Sequence, residues 1–247
     1  MLVGICTDVG KIRNINQDSF FYSKIKELPL FVVADGMGGH KAGEVASKIA
    51  IETIEEILYN NEEKLKNNEL QIPKFIDYAL KEANRRVFLK SQDENYRGMG
   101  TTVTLAFVFG SEVFIGHIGD SRAYLLRDKE LIQLTRDHSL VAELVRNGRI
   151  SEEEAMNHPQ KNIITRALGT DENIKIDITS HGINQKDIIL LCTDGLTNMV
   201  SNDRIKEIIL SSKDVNSSCD LLINTANDLG GIDNITALLV DIGLEER

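Results

Sequence analysis

The chain has 247 residues, of which 42% are hydrophobic, 27% charged and 5% aromatic. This composition excludes a disordered chain, and the length suits one large domain, which we predict to span residues 1–247. The formal net charge of −10 argues against nucleic-acid and anionic-membrane partners, because both repel an acidic surface.

The first third of the chain is predicted to contain strands followed by two helices. Apolar, β-leaning runs predict strands at 2–7, 19–22 and 30–34. Helical spacing predicts the first helix from Ala42, Ala46, Ile49, Thr53 and Ile57. A wide apolar face over 72–87, with Pro73 in its first turn, predicts the second helix. The polar stretch 60–69 between them is predicted to be a solvated connection.

The middle of the chain changes to the period of two that is typical of strands. Strands are predicted at 103–109, 113–118 and 122–126. Short turns at Gly110 and around Gly119 separate them, and this predicts an antiparallel meander. The segment 146–169 is interpreted as a surface excursion containing a short acidic helix, which Ser151 would cap with Glu154 three residues later.

The last third is predicted to combine strands with two helices. Further strands are predicted at 174–180, 187–193 and 235–241. Helices are predicted at 203–210 and 215–229, and one face of the second would contain Cys219, Leu222, Ala226 and Leu229. Antiparallel strands with helices in separate pairs favour an α+β fold, a four-layer α/β/β/α sandwich of two antiparallel sheets flanked by helix pairs. A doubly wound parallel sheet is disfavoured, because the meander interrupts the strand–helix alternation.

Cysteines and apolar runs together predict a cytoplasmic protein. Cys6, Cys192 and Cys219 lack the CxxC spacing of a zinc site and are too few and scattered for a disulfide framework. The N-terminal residues lack the pattern of a signal peptide, and the longest apolar runs are too short to span a bilayer. We therefore expect a cytoplasmic monomer with no membrane association.

Five aspartates lie where predicted strands begin or end, at Asp18, Asp35, Asp120, Asp194 and Asp233. Singly, each fits a common turn dipeptide. Together they predict carboxylates that meet at one edge of the sandwich, where protons or cations must relieve their repulsion. Oxygen ligands without a cluster of histidines or cysteines favour Mg²⁺ or Mn²⁺ over zinc. Paired cations suit the hydrolysis of phosphate monoesters, which is extremely slow without a catalyst.

Seven short motifs resemble those of the metal-dependent protein serine/threonine phosphatases of type 2C, in their compact bacterial form. They are RNINQD at 13–18, DGMGGH at 35–40, GTT at 100–102, GDSR at 119–122, DHS at 137–139, TDG at 193–195 and DN at 233–234. Each motif is weak alone, but seven in this order across the whole chain are specific. A small departure is Thr193, where serine is commoner in the family.

The resemblance implies a ligand set for Mn²⁺ or Mg²⁺, with two core ions and a third. The first ion would be ligated by Asp35, Asp194 and Asp233. Asp35 would bridge to the second ion, which the Gly36 carbonyl would also hold, together with Asp18 acting through a water molecule. Asp120, together with Asp194, would hold the third ion.

The resemblance also implies roles for residues around the ions. Arg13 would bind the substrate phosphate, although from the residue alone a surface ion pair is the simpler interpretation. His40 would protonate the departing serine or threonine oxygen; its alternative is a helix-start residue without a catalytic part. Asn234 would orient a metal-bound water, and residues 146–169 would form the family's flap beside the site. The other histidines are interpreted as structural or surface residues, namely His117, His138, His158 and His181.

The implied activity is hydrolysis of phosphoserine and phosphothreonine in phosphorylated proteins by direct attack of a metal-bridging hydroxide. A bacterial serine/threonine kinase would be the enzyme whose action it reverses. One alternative is a non-catalytic module that recognises phosphoproteins or senses metal; the intact ligand set counts against it. Another is a phosphatase dedicated to a single regulatory phosphoserine; such relatives usually lack parts of the motif set that this chain keeps.

Overall fold

The computed structural model describes residues 1–39 and 42–243. The strands are β1 Leu2–Asp8, β2 Asp18–Tyr22, β3 Leu30–Met37, β4 Gly100–Thr101, β5 Val103–Phe109, β6 Glu112–Ile118, β7 Arg122–Arg127, β8 Glu130–Gln133, β9 Asp177–Gly182, β10 Ile188–Cys192 and β11 Ile235–Asp241. The helices are α1 Ala42–Asn60, α2 Glu62–Lys66, α3 Ile72–Ser91, α4 Leu140–Arg146, α5 Glu152–Met156, α6 Asp194–Thr197, α7 Asn202–Ser211 and α8 Val215–Asp228. A single 3₁₀ turn lies at Glu94–Tyr96.

The strands form two antiparallel sheets. One has the order β1-β11-β10-β7-β8; the other has the order β2-β3-β5-β6-β9, with β4 paired to β3. Side chains from both sheets, among them Val33 and Leu238, form a buried apolar layer between them. This layer covers one face of each sheet and helices cover the other, which is why β5 is largely apolar on both faces instead of alternating.

A helix pair covers the outer face of each sheet. The α1 and α3 residues pack in one cluster with β3 and β5, and the α7 and α8 residues pack in another with β10 and β11. The predicted first and second helices are present, and Pro73 lies in the first turn of α3. The α+β fold of two antiparallel sheets flanked by helix pairs is therefore confirmed.

Three local predictions are wrong. The stretch 60–69 is not simply a solvated connection, because it contains α2, whose Leu65 is fully buried. The strand β7 does not continue the meander; it leaves β6 and pairs with β10 and β8 in the other sheet. On α8 the predicted apolar face is buried at Cys219, Leu222 and Ala226, but Leu229 is exposed just after the helix.

Smaller differences concern strand ends and helix starts. The strand β3 continues through Asp35 to Met37, so Asp35 lies within a strand rather than after it. Asp194 begins the short helix α6 instead of forming a turn. The acidic helix α5 has the predicted capping box between Ser151 and Glu154. Within the described residues, no helix is long and apolar enough to span a membrane.

Candidate metal and phosphate site

Asp18 and Asp35 lie opposite each other on neighbouring strands, because β2 and β3 pair in antiparallel register at these positions. The backbone of Asp35 is held from the other side by the GTT segment. Its N–H donates to Thr102 Oγ1 at 3.0 Å, and its carbonyl accepts from Thr101 Oγ1 at 2.9 Å. Two carboxylates are thereby fixed on one edge of this sheet.

The two oxygens of Asp18 have different surroundings. Oδ2 accepts hydrogen bonds from Thr193 Oγ1 at 2.8 Å and from Thr236 Oγ1 at 2.6 Å. Both threonines belong to the opposite sheet, next to α6 and in β11. Their hydroxyl groups therefore connect the two sheets at the aspartate cluster and orient the Asp18 carboxylate.

Asp194 and Asp233 approach from the opposite sheet. Asn198 Nδ2 donates to Asp194 Oδ2 at 2.9 Å, and Asp35 is within hydrogen-bonding reach of the Asp194 carboxyl. Gly195 brings the two segments together, since a Cβ at this position would overlap the carbonyl oxygen of Asn234. A side chain at residue 195 would force the start of α6 away from the residue that follows Asp233.

Both oxygens of Asp233 already have donors. Oδ1 accepts from the Asn234 backbone N–H at 2.9 Å, and Oδ2 accepts from Arg13 Nη2 at 2.8 Å. The hydrogen bond that Arg13 donates to Asp233 raises the pKa of Arg13, and the charges of Asp233, Asp35 and Asp194 raise it further. The predicted phosphate-binding arginine thus lies at the aspartate cluster, where it forms the ion pair that was its simpler interpretation.

Asp120 lies where the chain crosses from β6 to β7, after Gly119 with φ of +114°. His138 holds this crossing in place. Its backbone N–H donates to the Gly119 carbonyl at 2.8 Å, and its Nδ1 accepts from the Gly119 N–H at 3.1 Å. The Nε2 atom therefore carries the proton and faces Asp177 Oδ2 at 3.1 Å. Burial lowers the pKa of His138, which fits this neutral form.

Burial and mutual repulsion raise the pKa values of four carboxyl groups in the cluster. Burial is the largest cause in each case, and it raises the pKa of Asp18 to about 7 and that of Asp120 to about 8, with the charge of Asp194 adding to both. The pKa of Asp35 is raised well above its ordinary value by burial and by the other four aspartates. Burial and Asp233 also raise the pKa of Asp194. Carboxylates far apart in sequence therefore share one electrostatic environment.

Several buried oxygens in this cluster lack a hydrogen-bond partner, which tests whether a cation would fit. Within the described ranges, the buried carboxylate oxygens without any donor are Asp18 Oδ1, Asp120 Oδ1 and Asp194 Oδ1. An unpaired buried carboxylate oxygen is strongly unfavourable unless a proton or cation compensates it. Oxygen-only donors are those that Mg²⁺ and Mn²⁺ prefer. The residues present therefore fit a hard divalent cation.

The side chains of the cluster are nevertheless not arranged as a complete set of cation ligands in this structure. Among residues 1–39 and 42–243, no group of three or more His, Cys, Asp or Glu side chains has the spacing of a metal site. Asp233, one of the predicted ligands, has its two carboxylate oxygens occupied by Arg13 and by the Asn234 backbone N–H. The predicted sharing of one ion by Asp35, Asp194 and Asp233 stays a prediction, and it requires Asp233 to exchange Arg13 for a cation.

Comparison with known proteins identifies the family. A family model described as protein phosphatase 2C matches residues 12–233. This chain belongs to the protein phosphatase 2C family. The family predicted from the seven motifs is confirmed, and with it the enzyme class of protein serine/threonine phosphatase.

Relatives of this phosphatase match it over nearly its whole length. It is 43% identical over 244 residues to the serine/threonine phosphatase stp of Listeria monocytogenes serotype 4b, covering 98% of this chain and 96% of that protein. The crystal structure of the Mycobacterium tuberculosis serine/threonine phosphatase PstP/Ppp has a TM-score of 0.88 at 36% identity, covering 98% of this chain and 99% of the other. The catalytic domain of PstP in complex with two manganese ions has a TM-score of 0.84 at 35% identity, covering 97% of each chain.

Asn234 of this phosphatase supports the loop that carries Arg13. Its Nδ2 donates to the carbonyls of Val9 and Ile15, both at 2.9 Å, and its Oδ1 accepts from the Gln17 N–H at 2.8 Å. The amide is thus fully used by backbone groups of one loop. Its predicted role in orienting a water stays a prediction.

The predicted flap segment, residues 146–169, joins the site through its C-terminal end. Ser139 forms an isolated bridge with Ile164, and Thr101 forms one with Leu168. Arg166 Nη1 donates to Asp177 Oδ1 at 2.9 Å, and Asp177 in turn faces His138. A chain of hydrogen bonds therefore runs from this segment to the backbone beside Asp120.

The interpretation of His138 as a structural residue agrees with its contacts, because it is buried and holds Gly119 beside Asp120. One pair of side chains at the site was not predicted from the sequence. The hydroxyl groups of Thr193 and Thr236 were not assigned to the site, and the TDG motif marks only the first. The predicted general acid, His40, lies outside the described residues.

Proposed function

We propose that this chain removes phosphate from phosphoserine and phosphothreonine in proteins, in a reaction that requires divalent cations. The observation that carries the proposal is the group of buried, unpartnered oxygens on Asp18, Asp120 and Asp194, in a chain of the protein phosphatase 2C family. Side-chain donors already orient the other oxygen of Asp18 and of Asp194, so the unpartnered oxygens remain for a cation.

In this proposal the aspartates divide among the ions according to the family resemblance. A first Mn²⁺ or Mg²⁺ would be held by Asp35, Asp194 and Asp233. A second would be held by Asp35, Asp18 and the Gly36 carbonyl, and a third by Asp120 with Asp194. Such ions supply positive charge for an anionic substrate and lower the pKa of water.

Arg13 would bind the phosphate of the substrate. Only its Nη2 is engaged within the part of the chain that the structure describes, so Nε and Nη1 remain for phosphate oxygens. The side chain is 52% exposed and can be reached by a protein substrate. Pairing with Asp233 keeps the guanidinium beside the cluster until a phosphate competes for it, and bidentate contact suits two phosphate oxygens.

His40 would donate a proton to the departing serine or threonine oxygen, a role supported by the match of residues 35–40 to the family motif. The cellular setting belongs to the proposal as well. A cytoplasmic location is supported by the three free thiols, which suit a reducing compartment. A monomer that reverses a bacterial serine/threonine kinase is part of the same proposal, and the kinase follows from the family resemblance.

The proposal is tested by phosphate release from phosphoserine, phosphothreonine and phosphotyrosine peptides in Mn²⁺ and in Mg²⁺, with EDTA as the metal-free control. We expect release from the first two peptides only, and none in EDTA. Release that is unchanged in EDTA would contradict the metal requirement. Binding of phosphopeptides without release would support the non-catalytic module instead.

A direct prediction concerns Asp194, which would contact two of the ions. Replacing it (Asp194→Ala) should lower kcat by more than about 100-fold, since even groups that only orient metal ligands contribute about 10–100-fold. Asp203→Ala is the matched control, because Asp203 is 88% exposed on α7 and far from any such role. Comparable kcat in the two variants, measured with p-nitrophenyl phosphate in Mn²⁺, would show that Asp194 is not a ligand.

A further inference from the structure

Two loops lie side by side at the edge of the aspartate cluster. The Lys11 N–H donates to the Gly231 carbonyl at 2.7 Å, and Arg13 pairs with Asp233 at 2.8 Å. Lys11 Nζ also lies 3.7 Å from Asp228 Oδ1. These three contacts tie residues 11–13 to residues 228–233, so the residues between them share one surface.

This surface is apolar, although it is exposed. Ile12 is 66% exposed, Leu229 58% and Ile232 47%. A Cβ on Gly230 would lie 3.6 Å from Ile232 Cγ2, so the Ile232 side chain lies beside the backbone that follows Leu229. We call Ile12, Leu229 and Ile232 the apolar rim.

The apolar rim is not explained by packing. Single exposed aliphatic residues are ordinary on protein surfaces, but neighbouring ones on joined loops mark a contact site. Leu229 continues the apolar face of α8 in sequence, yet it projects beyond the helix instead of joining the buried Ala226. The rim directly adjoins Arg13 and Asp233 in sequence, through Ile12 and Ile232.

We infer that the apolar rim contacts the side chain next to the phosphorylated residue of a protein substrate, and that apolar neighbours are preferred there. The inference rests on the proposed function, because a phosphate on Arg13 sets where the peptide lies. Consecutive residues of an extended peptide advance by about 3.3 Å. A phosphoserine at Arg13 therefore brings its neighbour within reach of Ile12 or Ile232.

The charges around the rim favour an apolar rather than a charged substrate residue next to the phosphorylated one. The nearest basic side chain, Lys11, is paired with Asp228, and Arg13 is paired with Asp233 or taken up by phosphate. The surface around the rim thus offers no unpaired charge among these residues for an acidic or basic flanking residue. Apolar contact is the remaining source of discrimination, and one well-placed apolar group gives roughly tenfold selectivity.

The test uses matched phosphothreonine peptides that differ only in the flanking residue, Leu or Ser. For wild-type protein in Mn²⁺ we expect kcat/KM to be about tenfold higher for the Leu peptide. The double variant Ile12→Ser, Ile232→Ser should lose most of this ratio. The control Leu210→Ser, which removes an aliphatic side chain of similar exposure (48%) on α7, should keep it.

Each outcome of the test decides the inference. Equal kcat/KM for the Leu and Ser peptides, or a preference that survives in the double variant, would overturn it. A third result would also overturn it: sedimentation shows that the double variant has changed its oligomeric state, while its preference for the Leu peptide is unchanged. This result would assign the rim to a contact between two copies of the chain. Failure of wild-type protein to hydrolyse either peptide or p-nitrophenyl phosphate would instead refute the proposed function, and the inference with it.

Discussion

Asp18 shows how a single residue is prepared for a ligand that the fold does not provide. Its Oδ2 is fixed by two threonine hydroxyls, whereas its Oδ1 is buried without a donor. Two hydrogen bonds favour the ionised form, but burial outweighs them, and the pKa of Asp18 rises to about 7. The carboxylate is thus oriented by the protein and stabilised only when another cation or proton arrives.

Burial also outweighs stabilising contacts at Asp120, and this predicts how the stability of the protein depends on pH. In the folded, metal-free protein its pKa is raised to about 8, whereas in the unfolded chain it is near 3.9. Between these values the folded state binds more protons, so its free energy of unfolding falls as pH rises. The amide side chain of the Asp120→Asn variant cannot titrate. Its free energy of unfolding should therefore lack the decrease with pH that Asp120 causes.

Thermal unfolding of the metal-free proteins from pH 5 to pH 8 measures the effect. We expect the Tm of wild type to decrease with pH more steeply than that of Asp120→Asn, and saturating Mn²⁺ to reduce the difference between the slopes. Parallel curves for the two metal-free proteins would mean that the pKa of Asp120 is not raised.

At the scale of elements, two close contacts set the geometry of the cluster: α6 against the start of β11, and His138 against the β6–β7 crossing. Neither contact involves a predicted ligand directly. Both nevertheless determine where a ligand's backbone lies, because Gly195 follows Asp194 and Gly119 precedes Asp120.

Gly195→Ala tests the first contact. The new Cβ would overlap the Asn234 carbonyl, so α6 must shift from β11, and overpacking of this kind destabilises by about 1–3 kcal/mol. Urea unfolding should detect the loss, and Mn²⁺-dependent phosphate release should fall with it. Gly182→Ala is the control, since a Cβ there would meet only the Ser111 carbonyl oxygen, at an ordinary contact distance of 4.0 Å. Equal stability of the two variants would contradict the close approach.

His138 tests the second contact through a pair of substitutions. His138→Ala removes the acceptor for the Gly119 N–H and should weaken Mn²⁺ binding at the ion that Asp120 holds by about 10–100-fold, as measured by calorimetry. His138→Asn keeps an acceptor at the position of Nδ1 and should recover most of the affinity. His181→Ala is the control, because among the described residues the His181 side chain forms a hydrogen bond only with Thr179 of its own strand. Equal affinity in all three variants would exclude a positioning role.

At the scale of the whole molecule, strands and helices with strong local patterns could be predicted from the sequence. The sheet that each strand joins could not. The buried strands β10 and β11 are continuous apolar runs, and the two long helices have a clear apolar period. By contrast, nothing local tells β7 which sheet to join, because both inner faces are apolar. The helix α2 was missed because one buried residue, Leu65, in a charged stretch gives no periodicity.

In the candidate site too, residues in clear local patterns could be predicted, whereas contacts between distant segments could not. The aspartates were identified because Asp lies beside clear strands and in specific motifs. The partners of Asp18 were not, because Thr193 and Thr236 are 175 and 218 residues away in sequence, and only the packing of one sheet on the other brings them together. The pairing of Arg13 with Asp233 likewise depends on tertiary structure.

The central claim is that carboxylates from both sheets bind a common divalent cation. Anomalous diffraction from crystals of the protein soaked in Mn²⁺ tests this claim most directly. We predict a peak in contact with Asp35, Asp194 and Asp233, at a ligand distance near the ~2.1 Å of a Mg²⁺-sized ion, with Arg13 displaced from Asp233. Manganese peaks elsewhere, and none at this cluster, in crystals of protein that releases phosphate, would contradict it.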